Sequence, residues 1–544
     1  MFKNLIEEEK KKFKILEELF KKYNIDTNEF KTIYNEIENF KVNVPLVGSF
    51  SSGKSSLLNA LFEEKILPTK ISPETSIPFE IVYSENREYL LYWNNGKVEK
   101  LPVDTNFKKY KLSVKNHKFV LLKLDKEFLK SINNLKLVDM PGFDSGLEEH
   151  DKAIYEYIPK SMAYIIVIDA ETGSVKESVL QLLSNDLKVF NMPVYVIVNK
   201  ADKKMPEIDS IVKLCKQQIE DALNVKDVPI GYTSARKKEI EPLKNFLLDL
   251  NSKADEIFKD IFNTKFKNLA DTIIKYLNFQ VKNWDKDTTE LDIKEEKLKS
   301  ELKELSEKLK DMESKIDTAY DETVEDIKIS LKSELYNNID RYAEILLARG
   351  NIQDDIKKLA KKVCFDKFHN NFKEKISNYL RELGEEIEHF EINIDLQDLL
   401  SIDESALKKG LNALITSALT LIGIELGGPI GAVVGAIVGF IMDWIISKGT
   451  KKIKLKQIKS KLEDEIPNIT KRIAEGLEVK KFELVDKIKE RIKDAIQKEK
   501  QLIEKAIEDL RNRKKEKIER SKNLKAEMEK DLEIINKLCE QGLT

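Results

Sequence analysis

Val44-Pro-Leu-Val-Gly-Ser-Phe-Ser-Ser-Gly-Lys-Ser-Ser56 is a short apolar strand running directly into a Gly-x-x-x-x-Gly-Lys-Ser loop. Gly48 and Gly53 bound the loop, where the backbone must wrap a phosphate closely with its N–H groups turned inward. The helix expected to begin near Lys54 presents its positive N-terminal end to the same anion. The pattern assigns Gly48, Ser51, Ser52, Gly53, Lys54, Ser55 and Ser56 to a nucleotide: Lys54 neutralises the β- and γ-phosphates, and the Ser55 hydroxyl ligates Mg²⁺.

Three further segments follow in the order that a guanine-nucleotide site requires. Asp139-Met-Pro-Gly142 ends the apolar run Leu135–Val138; a strand-end carboxylate holds Mg²⁺ through water, and the Gly142 N–H senses the γ-phosphate. Such a four-residue pattern standing alone is an ordinary turn. Next, Val194-Tyr-Val-Ile-Val-Asn-Lys-Ala-Asp202 places Asn199, Lys200 and Asp202 after another buried-type strand. A carboxylate at Asp202 accepts both guanine N1–H and N2–H, donors that adenine lacks, so the wrong base leaves it unpaired. Gly231-Tyr-Thr-Ser-Ala235 supplies a small-residue turn in which Ser234 borders the base and the Ala235 N–H meets guanine O6. Coincidence is a poor account of such motifs in this order, and the segment is read as a GTPase domain.

Between the phosphate loop and Asp139 lies the turn-rich stretch Ile66–Pro78. Thr75 is the preferred Mg²⁺- and γ-phosphate-sensing threonine, because it precedes the strand-like run Phe79–Tyr83; Thr69 is its rival. The 85 residues from Lys54 to Asp139 also hold apolar alternation around Tyr89–Trp93 and Phe119–Leu124. That length suggests an enlarged G domain with extra strands.

Taken together, these residues resemble the dynamin superfamily, and bacterial dynamin-like proteins most closely. The resemblance rests on residues 48–61, the Ile-Leu-Pro…Pro-Glu-Thr-Ser stretch at 66–76, Asp-Met-Pro-Gly-Phe at 139–143 and Asn-Lys-Ala-Asp at 199–202. It covers roughly 41–240. It implies that Ser51 helps hold a monovalent cation such as K⁺ in place of an arginine finger, that Ser51, Lys54, Thr75 and Gly142 serve the reaction, and that paired G domains activate one another. Eukaryotic dynamins carry Gln where this chain has Phe50, and Phe143 gives no Ras-like Gln. The attacking water is then left to a backbone group or to the partner G domain.

Composition fits such a machine. The 544 residues leave room for several domains. Charged residues make up 35% of the chain with a net charge of −2, which suits long solvated helices and argues against a nucleic-acid protein. Cys215, Cys364 and Cys539 are far apart, so no disulfide framework or zinc site is implied, and a reducing cytosol is the plain reading. The N-terminus is charged without an apolar core, and no signal peptide or lipidation motif is expected.

After Ala235 the texture changes. No proline occurs between Leu243 and Gly428, and apolar residues recur at helical spacing. Leu298, Leu302, Leu305, Leu309, Met312 and Ile316 trace a heptad seam, which favours intramolecular bundle packing over a coiled-coil dimer. Residues 1–40 and the stretch Val485–Leu510 show the same spacing.

Leu411–Trp444 is an apolar run in which Gly423, Gly427, Gly431, Gly435 and Gly439 recur every fourth residue, a smooth strip along which a second helix packs closely. Gly428-Pro429 marks a bend. Both a shallow hairpin and one long span fit its length, but lysines at both ends (Lys408, Lys409, Lys448, Lys451 and Lys452) favour a hairpin with both ends cytoplasmic. Leu421, Ile422, Ile430, Val434, Ile437 and Phe440 are the residues expected to face lipid; a pair of buried helices is the competing reading.

The expected fold is thus an α/β P-loop GTPase domain, a mixed and mostly parallel sheet flanked by helices, plus a long all-α bundle stalk with a hydrophobic helical tip. Its expected divisions are 1–40 (a helix packing with the bundle), 41–250 (GTPase domain), 251–405 (neck and stalk), 406–448 (glycine-zipper tip) and 449–544 (returning helices). The expected activity is hydrolysis of GTP with Mg²⁺, coupling G-domain dimerisation, or pairing with a dynamin-like paralogue, to membrane remodelling at the inner face of the cell membrane. Fission, fusion and tethering all stay open. The alternative is a GTP-switched helical membrane-inserting or toxin-partner protein.

Overall fold

The computed structural model describes the chain except for residues 1, 70–76, 108–109, 111, 114–115, 143–152, 155–156, 158–159, 177–178, 181–182, 184–191, 283, 285–287, 349, 377, 380, 383–454, 516–517 and 542–544. It divides into two compact units, Met1–Lys11 with Asn28–Lys265, and Lys12–Thr27 with Phe266–Thr544.

The first unit is built on nine strands: β1 (Val42–Val47), β2 (Phe79–Tyr83), β3 (Glu88–Trp93), β4 (Val98–Leu101), β5 (His117–Leu124), β6 (Leu135–Asp139), β7 (Tyr164–Asp169), β8 (Val194–Asn199) and β9 (Ile230–Tyr232). They form one sheet in the order β4-β3-β5-β2-β6-β1-β7-β8-β9. Strands β6, β1, β7, β8 and β9 run parallel. A parallel strand covered on both faces must be apolar throughout, and Val42, Val44, Leu46 and Val47 of β1 are accordingly buried. β2 reverses direction against β6, with Phe79 opposite Asp139. β5 runs parallel to β2, and β3 and β4 add an antiparallel edge. Here the alternation around Tyr89–Trp93 and Phe119–Leu124 becomes β3 and β5, the strands that enlarge the domain.

Helices α1 (Phe2–Lys22), α2 (Asn28–Glu38), α3 (Lys54–Phe62), α4 (Glu127–Ser131), α5 (Ile208–Leu223) and α6 (Glu241–Ser252) accompany this sheet in the sequence. α5 shows why such segments are helical: Ile208, Ile211, Cys215, Ile219 and Leu223 recur at three- and four-residue steps and bury one stripe against the sheet. Asn224 then ends it in the left-handed conformation. α7 (Ala254–Lys282) begins in this unit. There Phe40 meets Phe258 and Phe262 edge-on, with ring centres 5.0 and 5.8 Å apart.

The second unit is all helical among the described residues. It holds the rest of α1 and α7, with α8 (Thr288–Asn337), α9 (Ile339–Leu347), α10 (Gln353–Lys367), α11 (Leu455–Lys515) and α12 (Ile518–Gln541). Tyr320 of α8 is buried with its hydroxyl donated to the Leu477 carbonyl of α11 at 2.8 Å. Phe368 and Phe372, in a single π-helical turn after α10, pack on its ring. Of the heptad seam, Met312 and Ile316 are buried and Leu309 is half-buried, whereas the side chains of Leu298, Leu302 and Leu305 lie outside the described ones. The N-terminal segment 1–40 is shared: Lys12–Thr27 belongs to this unit, where Tyr23 donates to Asp531 at 2.6 Å, and the remainder belongs to the first. The apolar run Leu411–Trp444, with Leu421, Ile422, Ile430, Val434, Ile437 and Phe440, lies outside the described residues. Among the described residues, no helix is long and apolar enough to cross a membrane.

Candidate nucleotide site

In an open α/β sheet, ligands gather beyond the carboxyl ends of the parallel strands. Here β1, β6, β8 and β9 deliver their expected motifs to that edge. β1 runs into the loop at Gly48, where an added Cβ would lie 2.1 Å from the Val167 carbonyl oxygen of β7. The loop is thereby seated on the sheet.

Ser51 takes a left-handed φ of 68°, and Gly53, the N-cap of α3, takes 93°. At Gly53 this conformation excludes a side chain twice over, because a Cβ there would also come within 2.3 Å of Asn199 Nδ2. The Lys54 ammonium curls back over the loop, donating to the carbonyls of Gly48 at 2.9 Å and Ser49 at 3.2 Å. It is buried, which pulls its pKa down to about 8, against the opposing pull of Asp139. Buried among these groups is the Ser52 hydroxyl, which has no hydrogen-bond partner among the described residues.

On β6, Asp139 accepts the Ser55 hydroxyl at 2.6 Å through Oδ2. Its Oδ1 is buried and has no hydrogen-bond partner among the described residues. A lone buried carboxylate oxygen beside a hydroxyl oxygen, facing a phosphate loop, is the hard donor set that Mg²⁺ takes. Ser55 and Asp139 therefore fit the metal assigned to them. Gly142 crosses close to the loop, so that a Cβ would stand 2.6 Å from the Phe50 Cα and 3.1 Å from the Lys54 ammonium. Its N–H is thus carried at the phosphate end of the site. Thr75 lies outside the described residues, while its rival Thr69 lines a cleft shared with Gly53, Ser56, Asn199 and Asp202.

Burial pushes the Asp139 pKa up to about 6, opposed by the Ser55 hydrogen bond and the Lys54 charge. The folded chain holds this proton more tightly than the unfolded chain does. The resulting contribution to stability is complete below the ordinary value of 3.8 and lost as pH rises through about 6. Mg²⁺ needs the ionised form, so its affinity is expected to fall by about tenfold per pH unit below that point. Loading the metal near pH 6 should release a proton, visible as a buffer-dependent heat in titration calorimetry. Metal binding with equal affinity at pH 5 and pH 7.5 would remove Asp139 from the site.

The base end is organised by Asn199. Its Nδ2 donates to the Ser52 carbonyl at 2.9 Å, while its Oδ1 accepts from the Thr233 hydroxyl at 3.2 Å and the Ala235 N–H at 3.3 Å. One buried amide thus ties the phosphate loop, β8 and the turn after β9 into a single frame. Asp202 accepts the hydroxyl of the fully buried Ser234 at 2.6 Å, and that bond holds its carboxyl below the usual carboxylate range. It is therefore an ionised acceptor at neutral pH. Gly53, Ser56, Asn199, Lys200, Asp202 and Ala235 line a cleft of about 580 Å³. Among the described residues, the phosphate loop, Asp139, Gly142, Asn199, Lys200, Asp202, Ser234 and Ala235 lie along this edge, whereas Thr75 lies outside them. Sequence reasoning missed Thr233 and Asp169, the latter accepting from the Lys200 ammonium. The available signal for Asp169 was its place at the end of an apolar strand, as with Asp139.

Fold and site define a P-loop guanine-nucleotide domain. The model of the Dynamin family matches residues 44–201, the segment that holds the phosphate loop, Asp139 and Asn199. An uncharacterised protein from the xynA 3′ region of Caldicellulosiruptor sp. (strain Rt8B.4) is 27% identical over 38% of this chain and 52% of its own length. Dynamin-like protein 2 of Campylobacter jejuni (strain 81-176) is 25% identical over 45% of this chain and 40% of its own. The chain therefore spans about half, or less, of these relatives. A solved oligomerised bacterial dynamin pair aligns over 96% of this chain and 94% of its own at 14% identity, with a TM-score of 0.35, too low to speak for a shared fold.

Proposed function

We propose that this chain hydrolyses GTP and couples the reaction, through pairing of its G domains with a second copy or a dynamin-like paralogue, to binding and remodelling a membrane. The observation that carries the nucleotide half is the Asn199 frame, which holds Ala235 at a fixed offset from the Lys54 loop, with Asp202 bonded to the neighbouring Ser234. A triphosphate bound there meets Lys54, the loop amides and the N-terminus of α3 at one end and an ionised acceptor at the other. Mg²⁺, when bound, would supply charge neutralisation at the phosphates. Ser55 and Asp139 hold it, and Gly142 and Thr75 sense the γ-phosphate. The half-exposed Phe50 of the loop has no group to direct water, which assigns that task to backbone or to a partner G domain. Ser51 is the proposed ligand of a monovalent cation beside the phosphates.

The membrane half of the proposal rests on 406–448, whose apolar run is long, glycine-striped and flanked by lysines. Leu421, Ile422, Ile430, Val434, Ile437 and Phe440 face lipid in this reading, and the chain acts as a peripheral protein of the inner face of the cell membrane. Ile437→Lys or Leu421→Lys should each cost a few kcal/mol at membrane depth. Both should abolish flotation with liposomes while basal GTP turnover and the thermal melt stay near those of the unmodified chain. Variants that melt early without membranes would instead identify the run as a protein core.

A further inference from the structure

α3 ends at Phe62, and Glu63 then turns the chain in the left-handed conformation at a φ of 54°. The stretch beyond is held by Asn59, which stands one helical turn after Ser55 on the same face of α3. The Asn59 backbone carbonyl accepts the Glu64 N–H at 3.1 Å. Its buried side chain accepts the N–H groups of Ile66 and Leu67 through Oδ1, each at 2.9 Å, and donates through Nδ2 to the Leu67 carbonyl at 2.8 Å. Asn59 thus meets Leu67 as a neighbouring strand would, pairing both its N–H and its C=O. Glu64 is fixed a second time by the two terminal nitrogens of Arg87, each at 2.8 Å.

Residues 65–69 belong to no helix or strand, yet Lys65 and Thr69 line the same cleft as Asn199, Asp202 and Ala235. A base held at Asp202 in that cleft has this stretch among its walls. An unanchored coil would be ordered only as the nucleotide binds, and that ordering subtracts from affinity. The side chain at 59 is suited to prevent this, because an amide offers an acceptor oxygen with two lone pairs beside a donor nitrogen. A carboxylate would keep the acceptors and face the Leu67 carbonyl without a proton, and alanine would supply neither.

We propose that Asn59 is a positioning residue for the nucleotide base, ordering residues 65–69 as a wall of the cleft before the nucleotide arrives. The inference rests on the guanine-nucleotide reading above. It gives a role to a buried amide that neither the phosphate contacts nor the Mg²⁺ donors use.

The test has two arms. In the unmodified, nucleotide-free chain, hydrogen exchange should find the Ile66 and Leu67 amides already protected, with little further change on adding GDP. Amides that exchange freely until GDP is added would overturn the inference without any variant. The second arm is binding of fluorescent GDP to the full chain and its Asn59→Asp and Asn59→Ala variants, with inorganic tripolyphosphate as a competitor that has no base. Asn59→Asp should weaken GDP by about tenfold, as for a wall preset in about one molecule in ten. Asn59→Ala should weaken it at least as much, and the inhibition constant of tripolyphosphate should stay that of the unmodified chain. Unchanged GDP affinity, or an equal loss for tripolyphosphate, would overturn the inference while leaving the guanine site standing. Equal binding of GDP and ADP by the unmodified chain would overturn the guanine reading and this inference with it.

Discussion

Lys54→Ala is expected to weaken GTP binding by more than about a hundredfold. Two charge-assisted contacts to phosphate, at about 1.5–3 kcal/mol each, correspond to at least that factor. The structure adds a reason for the effect to be large. Lys54 already lies inside the loop on the carbonyls of Gly48 and Ser49, so a bound phosphate gains a buried cation without drawing a long side chain in from solvent. Because burial holds its pKa near 8, phosphate binding above that pH should also take up a proton. Fluorescent-nucleotide titration beside a thermal melt separates lost binding from lost folding. A variant that melts normally and binds GTP within a few fold of the unmodified chain would remove Lys54 from its assigned role.

The second large effect is a reversal of base preference. In Asp202→Asn, one of the two acceptor oxygens is replaced by an amide donor. Guanine then presents donors to a donor, whereas xanthine presents its C2 oxygen. Ser234 donates to Oδ1 of Asp202, and the oxygen of an asparagine retains that bond, so the new amide remains aimed at the base. Loss of GTP affinity by about a hundredfold, with a gain for xanthosine triphosphate, follows from the cost of unpaired polar groups at a desolvated edge. Competition binding with the two nucleotides measures both arms. Unchanged preference would mean that the base does not meet Asp202.

Much of this site was legible in the sequence because its chemistry depends on short, ordered segments. Gly48–Ser56, Asp139–Gly142, Asn199–Asp202 and Ser234–Ala235 each end a strand or fill the turn after one, and parallel pairing of β6, β1, β7 and β8 brings strand ends to one edge. The extra strands β3 and β5 were visible as alternation, but their pairing was not. That β2 turns antiparallel to β6 while β5 runs parallel to β2 is set by long-range contacts with no local signature. The partner of Asp169 was hidden for a related reason, because only the β7–β8 register shows which lysine it meets. The division of 1–40 between two units was equally hidden, since Phe2 and Phe13 share one helical segment and differ only in the aromatic rings that they meet, Phe258 for one and Phe266 for the other.

The central claim, a guanine-specific hydrolytic G domain, is met most directly by nucleotide turnover. Phosphate release by the unmodified chain with Mg²⁺ should be measured with GTP and with ATP over a range of protein concentrations. The account predicts turnover of GTP but not ATP, with specific activity rising as concentration brings G domains together. Equal turnover of both nucleotides, or GTP turnover that survives Lys54→Ala intact, would contradict it.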